Sequence, residues 1–451
     1  MRFTLHARLK SASVSAEALQ MGPPQTPRFR RPLRRALHLA AFALAALVAT
    51  GVFTPGVASA GGFDLTAGDE GSGPPAPVSV VDPSVYARGS RIEWADVRSG
   101  YWARTAIDYV GKHNNWMRDY PEQRNGETPF KPNKLEPRKL FLRAAVRAFA
   151  PDERPDPDIV FDDLPKSSNL WDFASVAVKL GWIERSGGKI RPDDAVSMQV
   201  VHQVLTTALG LRGPVNGIDR LETANGIGFK TTKYTGSTLI GMRIGLRYNH
   251  GNERDDVTPK SKLPRSEVAW SLYRAATVAS WTLDAMDVYT NLTLPSMSAE
   301  RAKIVRWGLR YAGYPYIWGG EWHRRTRSGY CCGAQPTGGF DCSGLTWWVI
   351  KRSGSGWDPT PPRSYRGWDL AQRSSADMAR ATRNRVGWKN KKVGDLLLYD
   401  GNRDGTVDHV NVYAGKGFAV DSSSSAGGVS LMWVGNGWYR DHFKYARRVV
   451  K

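Results

Sequence analysis

Cysteine is nearly absent from this chain, with three in 451 residues. A disulfide framework is thereby excluded, and the 41% of apolar residues has to supply ordinary hydrophobic cores. The length suggests two or three domains. Acidic residues are scarce at both ends. Residues 1–60 hold 8 Lys/Arg and 1 Asp/Glu, residues 296–451 hold 25 and 12, and residues 61–295 are nearly balanced at 30 and 29. The net charge of +21 points to a polyanionic partner, either a nucleic acid or an anionic cell wall. Two further absences matter. Asp400-Gly401-Asn402-Arg403-Asp404-Gly405 resembles the first half of a calcium loop, but the closing Glu is missing and Asn411 stands in its place. A plain hairpin rich in Asp, Asn and Gly explains the same residues better. The helix expected from Ser298 to Tyr311 has no capping box, because Arg301 stands three residues after the cap residue Ser298. Glu300 in its first turn still suits the positive end of the helix dipole.

What is present centres on Phe340-Asp341-Cys342-Ser343-Gly344-Leu345. The apolar run that follows, Thr346-Trp347-Trp348-Val349-Ile350, reads as a buried helix, with Asp341 or Ser343 as its cap. A cysteine at such a helix start sits at the positive end of the macrodipole, which favours the thiolate. Three strands follow: Val393–Tyr399, Asp408–Tyr413 opening on His409, and Gly417–Val420 leading into Asp421. Cysteine, then histidine, then a polar orienter is the order a Cys–His hydrolase needs. A buried structural cysteine is the competing explanation for Cys342 alone.

This stretch resembles the NlpC/P60 cysteine peptidases. The matching pieces are Tyr316-Ile317-Trp318-Gly319-Gly320, Asp341-Cys342-Ser343-Gly344-Leu345, Pro362-Arg363-Ser364, Gly394-Asp395-Leu396, His409-Val410 with Tyr413, and Arg447-Arg448-Val449. The resemblance covers about 296–451. It implies a papain-like α+β domain with an antiparallel sheet packed on the helix that bears the nucleophile. It also implies Cys342 as nucleophile, His409 as base, Asp421 as orienter and Tyr316 as oxyanion donor. Trp318, Ser343, Arg363 and Asp408 are expected in the substrate groove, with Trp322, Trp357 and Trp368 as further candidates to line it. No metal or cofactor is expected. Asp421 departs from the family, which more often has His there, and so does the long stretch Glu321–Gly339 with Cys331-Cys332. That stretch is expected to form a flap, with all three thiols free. The implied substrate is the peptidoglycan stem peptide, cut between γ-D-glutamate and the third-position diamino acid. An inactive wall-binding protein, or amidase or acyl-transfer chemistry on the same fold, is the alternative; intact Cys342 and His409 speak against the first.

The rest of the chain is read as export and docking. Arg28, Arg30, Arg31, Arg34 and Arg35, the apolar run Ala36–Phe53 and Ala58-Ser59-Ala60 have the layout of a cleaved secretory signal over 1–60. Gly-, Pro- and Ser-rich 61–90 reads as a flexible linker. Over 91–290 an all-α region is expected. Phe130-Lys131-Pro132-Asn133 recurs as Ile190-Arg191-Pro192-Asp193 and Val257-Thr258-Pro259-Lys260, at spacings of 60 and 67 residues, each ahead of a helical pattern. These repeats resemble S-layer homology (SLH) modules, in Trp94-Ala95-Asp96-Val97 and in Leu263-Pro264-Arg265-Ser266-Glu267, although Met198 replaces the expected Arg of the second unit. The likeness implies docking on an anionic cell-wall polymer. The export signal favours the wall over nucleic acid as the polyanion and predicts a secreted, wall-associated protein without stable membrane insertion after processing.

Overall fold

The structure, a computed structural model, describes residues 92–450 apart from 230, 328, 330–333, 354–369 and 381–383. The proposed signal (1–60), linker (61–90), Cys331, Cys332, Trp357, Arg363 and Trp368 lie outside the described residues.

The first part is built on three helices: α1 (Arg138–Phe149), α2 (Met198–Ala208) and α3 (Arg265–Thr277). Each follows one of the three recurring loops, and the loops meet around a common centre. Glu136 N–H donates to Leu263 O (3.0 Å), Leu263 N–H to Val196 O (2.9 Å) and Val196 N–H to Glu136 O (2.9 Å), which closes a cycle. A second cycle joins Arg138 N–H to Asp194 O, Met198 N–H to Ser261 O and Arg265 N–H to Lys134 O. Equivalent positions in each cycle, such as Arg138, Met198 and Arg265, are 60 and 67 residues apart, the spacing of the repeats, so the three units are arranged with pseudo-threefold symmetry. Two of the loops share a further device. Lys131 and Arg191 both have left-handed backbones (φ 60° and 54°). Asp96 accepts from the N–H groups of Phe130 (2.8 Å) and Lys131 (2.7 Å), and Asp163 from those of Ile190 (2.9 Å) and Arg191 (2.8 Å). The carboxylates hold backbone donors that a turn leaves unpaired.

The region is not purely helical. Glu93–Trp94 pairs in parallel with Glu127–Thr128, and Glu222–Thr223 with Thr293–Leu294. Two-residue strands carry no readable alternation, so the sequence pattern is silent about them. The second pair bears on the missing opening of the third unit. Ala224 N–H donates to Leu294 O just as Ala95 N–H donates to Thr128 O.

The second part carries helix α4 (Ala299–Arg310), helix α5 (Cys342–Ser353) and a six-stranded antiparallel sheet. Ser298 caps α4, its Oγ accepting from Arg301 N–H. The strands are β1 (Arg385–Val386), β2 (Leu396–Tyr399), β3 (His409–Gly415), β4 (Phe418–Ser423), β5 (Gly428–Trp433) and β6 (Phe443–Arg447), in the order β5-β4-β3-β2-β6-β1. Trp347, Trp348, Val349 and Ile350 are all buried, so α5 is covered on every side, by α4 as well as by β3 and β4. Gly308 lets α4 approach the same sheet, because a Cβ there would collide with Val420. Two motifs distant in sequence lock the sheet's far side: Arg448 grips Asp395 through Nε (3.0 Å) and Nη2 (2.8 Å).

The two parts share one core, which runs from Trp94 to Val450. Polar contacts reinforce the seam. Tyr289 Oη donates to Leu431 O (2.7 Å), Arg247 to Gly427 O, and Trp318 N–H to Glu253 Oε1 (2.6 Å). Among the described residues no helix is long and apolar enough to cross a membrane.

Candidate active site

Cys342 is the first residue of α5 and lies 7% exposed. Asp341 caps the helix, its Oδ1 accepting from Gly344 N–H and from Ser343 Oγ (2.9 Å). Gly344 is required by close approach: a Cβ would strike the Gly320 carbonyl oxygen. The loop that carries Tyr316 to Gly320 therefore presses directly on the first turn of the helix, and Asp341 N–H donates to Gly320 O (2.9 Å). The Cys342 thiol also points at Asp408 O, 4.0 Å away.

His409 opens β3 and Asp421 lies in the neighbouring β4. Their pairing across the sheet puts His409 Nε2 2.8 Å from Asp421 Oδ1. With Nε2 committed to the carboxylate, Nδ1 is the ring nitrogen left for Cys342. Burial by itself would lower the proton affinity of the imidazole. The Asp421 charge and hydrogen bond, with Cys342 adding to both, hold it well above the ordinary histidine value. Asp421 is fully buried. Burial pushes its carboxyl up, but His409, Tyr439 and Ser423 outweigh that and hold it below the usual carboxylate range. The result is a buried His409–Asp421 pair beside the residue, Asp408, whose carbonyl oxygen the Cys342 thiol meets.

Tyr316 is half-buried beside this line. Burial pushes its phenol up, and the charges of Cys342 and Asp341 push it further. The hydroxyl therefore keeps its proton and remains a hydrogen-bond donor.

The structure also assigns positions to the expected groove residues. Trp318 is 75% exposed, with only its backbone N–H held, by Glu253. Ser343 is buried, and its hydroxyl is taken up by Asp341 and Arg373. The Asp408 carboxylate accepts from Gly401 N–H (2.9 Å) and Asn402 N–H (3.2 Å), closing the β2–β3 hairpin. In the same hairpin Asp400 accepts from Asp404 N–H and Gly405 N–H and meets Lys444. The loop's carboxylates thus serve its own backbone. Trp322 packs edge-on against Trp348 at 4.7 Å rather than standing alone in a groove. The stretch 321–339 starts and ends as a hairpin, Glu321–Trp322 against Gly339–Phe340.

Two residues that sequence reasoning missed belong to this cluster. Tyr439, in the short helix Gly437–Asp441, donates its hydroxyl to Asp421 Oδ2 at 2.8 Å. Arg373 is buried beneath the Cys342 turn. It contacts Glu321 Oε2 (2.7 Å), Asp341 Oδ2 (3.2 Å) and Ser343 Oγ (2.8 Å), and donates to Gly319 O and Gly320 O. It ties together the loop, the cap and the base of the 321–339 stretch. A signal for it did exist, because the Arg-Ser read at Arg363-Ser364 recurs ten residues later as Arg373-Ser374.

Residues 313–448 match the NlpC/P60 family, so the chain carries an NlpC/P60 family domain over that span. The chain is similar to the bifunctional muramidase/DL-endopeptidase CwlT of Bacillus subtilis, at 24% identity over 302 residues, 63% of this chain and 79% of that protein. It is similar to the peptidoglycan endopeptidase RipB of Mycobacterium tuberculosis, at 32% identity over 140 residues, 31% of this chain and 50% of that protein. Beyond CwlT, the chain spans half or less of the curated relatives it matches. Among solved structures, an NlpC/P60 family protein from Bacillus cereus aligns at 23% identity over 35% of this chain and 42% of that one, with a TM-score of 0.26.

Proposed function

We propose that the NlpC/P60 domain of this chain is a cysteine endopeptidase that cleaves peptidoglycan stem peptides. The observation that carries the reading is the Cys342–His409–Asp421 line at the start of a buried helix. The cell-wall substrate is supported by relatives named peptidoglycan or murein endopeptidases. The Cys342 thiolate attacks the peptide carbonyl carbon. Tyr316 Oη and the Cys342 backbone N–H are proposed to hold the oxyanion, where loss of one donor costs about 3–4 kcal/mol in comparable sites. His409 then gives its proton to the leaving amine as the C–N bond breaks. Water, with His409 now as base, cleaves the thioester. Asp421 keeps the ring oriented throughout. The proposed bond lies between γ-D-glutamate and the diamino acid, and the +13 balance of residues 296–451 suits the stem's free carboxylates.

Export and docking complete the proposal. Residues 1–60 act as a cleaved signal, so the secreted protein starts at Gly61. The threefold arrangement of the helical units supports an SLH-like set that holds an anionic wall polymer. Stretch 321–339 is proposed as a flap over the groove. Mass spectrometry of muropeptides after digestion tests the central claim. New fragments ending at D-glutamate are expected with the wild type and none with Cys342→Ala. Unchanged muropeptides with both would sink the hydrolase reading.

A further inference from the structure

A cavity lies at the seam between the helical units and the catalytic domain, with a volume of about 700 Å³, within the range of ligand clefts. One wall comes from the turns at the threefold centre, including Gln199 and Lys260, and the other from the end of α4 and the residues after it. Cys342, His409 and Asp421 take no part in the lining.

Its charge is one-sided. Lys260, Arg306, Arg310 and Arg324 line it, and among the described lining residues there is no Asp or Glu. None of the four forms an ion pair with another described residue, although both Arg448 and Arg373 elsewhere in the same domain are matched by carboxylates. Arg306 donates through Nη2 to Gly228 O (3.1 Å), while its Nε is buried without a hydrogen-bond partner. Arg310 lies 5.1 Å over the Trp307 ring. Burial pushes the Tyr314 phenol up, and the charges of Arg324 and Arg310 pull the other way. Four converging cations without counter-charge repel one another, and a bound anion relieves that repulsion. Between the cations the wall offers Tyr234, Tyr314 and Thr232, which combine flat apolar faces with hydroxyl groups. That mixture suits a ring carrying both C–H faces and hydroxyls.

We propose that this cavity binds an anionic saccharide, with Lys260, Arg306, Arg310 and Arg324 reading its phosphate or carboxylate groups. Because the walls come from both parts of the chain, one ligand bridges them. The choice of a saccharide over a single-stranded nucleic acid, which also pairs phosphates with aromatic faces, rests on the wall-directed reading above.

The test is titration calorimetry of the full secreted chain with four probes: an oligogalacturonate hexamer, a phosphorylated mannose oligosaccharide, neutral chitohexaose and a dT12 oligonucleotide. At least one anionic saccharide is expected to bind about tenfold or more tighter than chitohexaose, and more weakly as salt rises. The stronger of the two identifies which anion the site reads. Arg310 and Arg324 are exposed, so the double variant Arg310→Ala/Arg324→Ala should fold normally and lose about tenfold or more in affinity. Lys260→Gln, on the opposite wall, should show a smaller loss in the same direction, and Arg98→Ala, an exposed arginine elsewhere, none. Equal binding of charged and neutral saccharides, or wild-type affinity in the double variant, would overturn the proposal. Tighter binding of dT12 than of either anionic saccharide would overturn the saccharide class. Turnover of a small soluble muropeptide by the same samples is a separate readout. It should persist in Lys260→Gln, which lies outside the catalytic domain, so failure of the hydrolase reading is seen apart from failure of this site.

Discussion

Asp421→Asn is the most informative perturbation of the catalytic cluster, because Asp421 is fully buried and has two donors to satisfy, His409 Nε2 and Tyr439 Oη, each at 2.8 Å. Asparagine has the same shape. Its Oδ1 can accept from His409, and its amide can donate to the Tyr439 oxygen, since a hydroxyl serves as either donor or acceptor. Geometry is thus retained while the charge is lost. General acid–base help is worth about 10²–10⁴-fold, and an orienter supplies a fraction of it, so the expected loss in turnover is about 10- to 100-fold. Asp421→Ala strands both donors in a buried site, at about 1–3 kcal/mol each in stability, and should be slower still. Tyr439→Phe should cost a few-fold in the wild type and less in the Asn background, because its tie to the carboxylate is already altered there. The pH profile gives a second readout. Asp421 is the main attraction that keeps His409 protonated above the ordinary histidine value. The alkaline limb of kcat/KM should therefore move to lower pH in Asp421→Asn. The assay is chromatographic turnover of a muropeptide across pH at equal folded concentration. An Asp421→Asn enzyme as dead as Cys342→Ala, or one with an unmoved alkaline limb, would refute the assignment of Asp421 as orienter and charge partner.

Cys342→Ala and His409→Ala should each reduce turnover to background, the first with a thermal midpoint near that of the wild type and the second with a lower one, because buried Asp421 loses its partner; residual turnover in Cys342→Ala would move the nucleophile elsewhere. Arg373→Ala leaves Glu321 and Asp341 buried without their partner, for which about 3–5 kcal/mol of stability is expected to be lost; denaturant unfolding that shows no loss would mean the three groups are not coupled. The His409–Asp421 pair should also mark stability against pH. His409 is raised in the fold, so its contribution is complete below about 6.5 and fades as pH rises through its folded value; Asp421 is lowered, so its contribution is complete above about 3.8 and fades in acid. The advantage of wild type over Asp421→Asn in chemical unfolding should therefore be greatest between those two values, and a gap that grows above pH 9 would contradict it.

The sequence revealed those parts of the site that ride on regular elements. Cys342 stands before an apolar run and His409 and Asp421 on strands with strong β-formers, so the pattern puts each on a regular element, and the family resemblance groups them. The spacing of 60 and 67 residues marked three repeated units, although not that their loops meet in a cycle. Tyr439 was invisible, because a five-residue helix has too few turns to display a face, and its link to Asp421 spans 18 residues. Arg373 was obscured by its twin Arg363-Ser364. The work of Ser343 and Asp408 also escaped notice, since a hydroxyl or carboxylate that holds a nearby backbone looks the same in sequence as one that faces a substrate.

The cyclic hydrogen bonding of the three loops fixes a number. In an open solenoid each repeat touches only its neighbours, so repeats can be gained or lost one at a time. Here the Leu263 acceptor of the third unit is filled by Glu136 of the first, so neither end of the series is left for a fourth unit to join. Duplication or deletion of a single unit would open the ring rather than lengthen or shorten it. This part of the chain can therefore change by substitution within its units, but not by a change in their count.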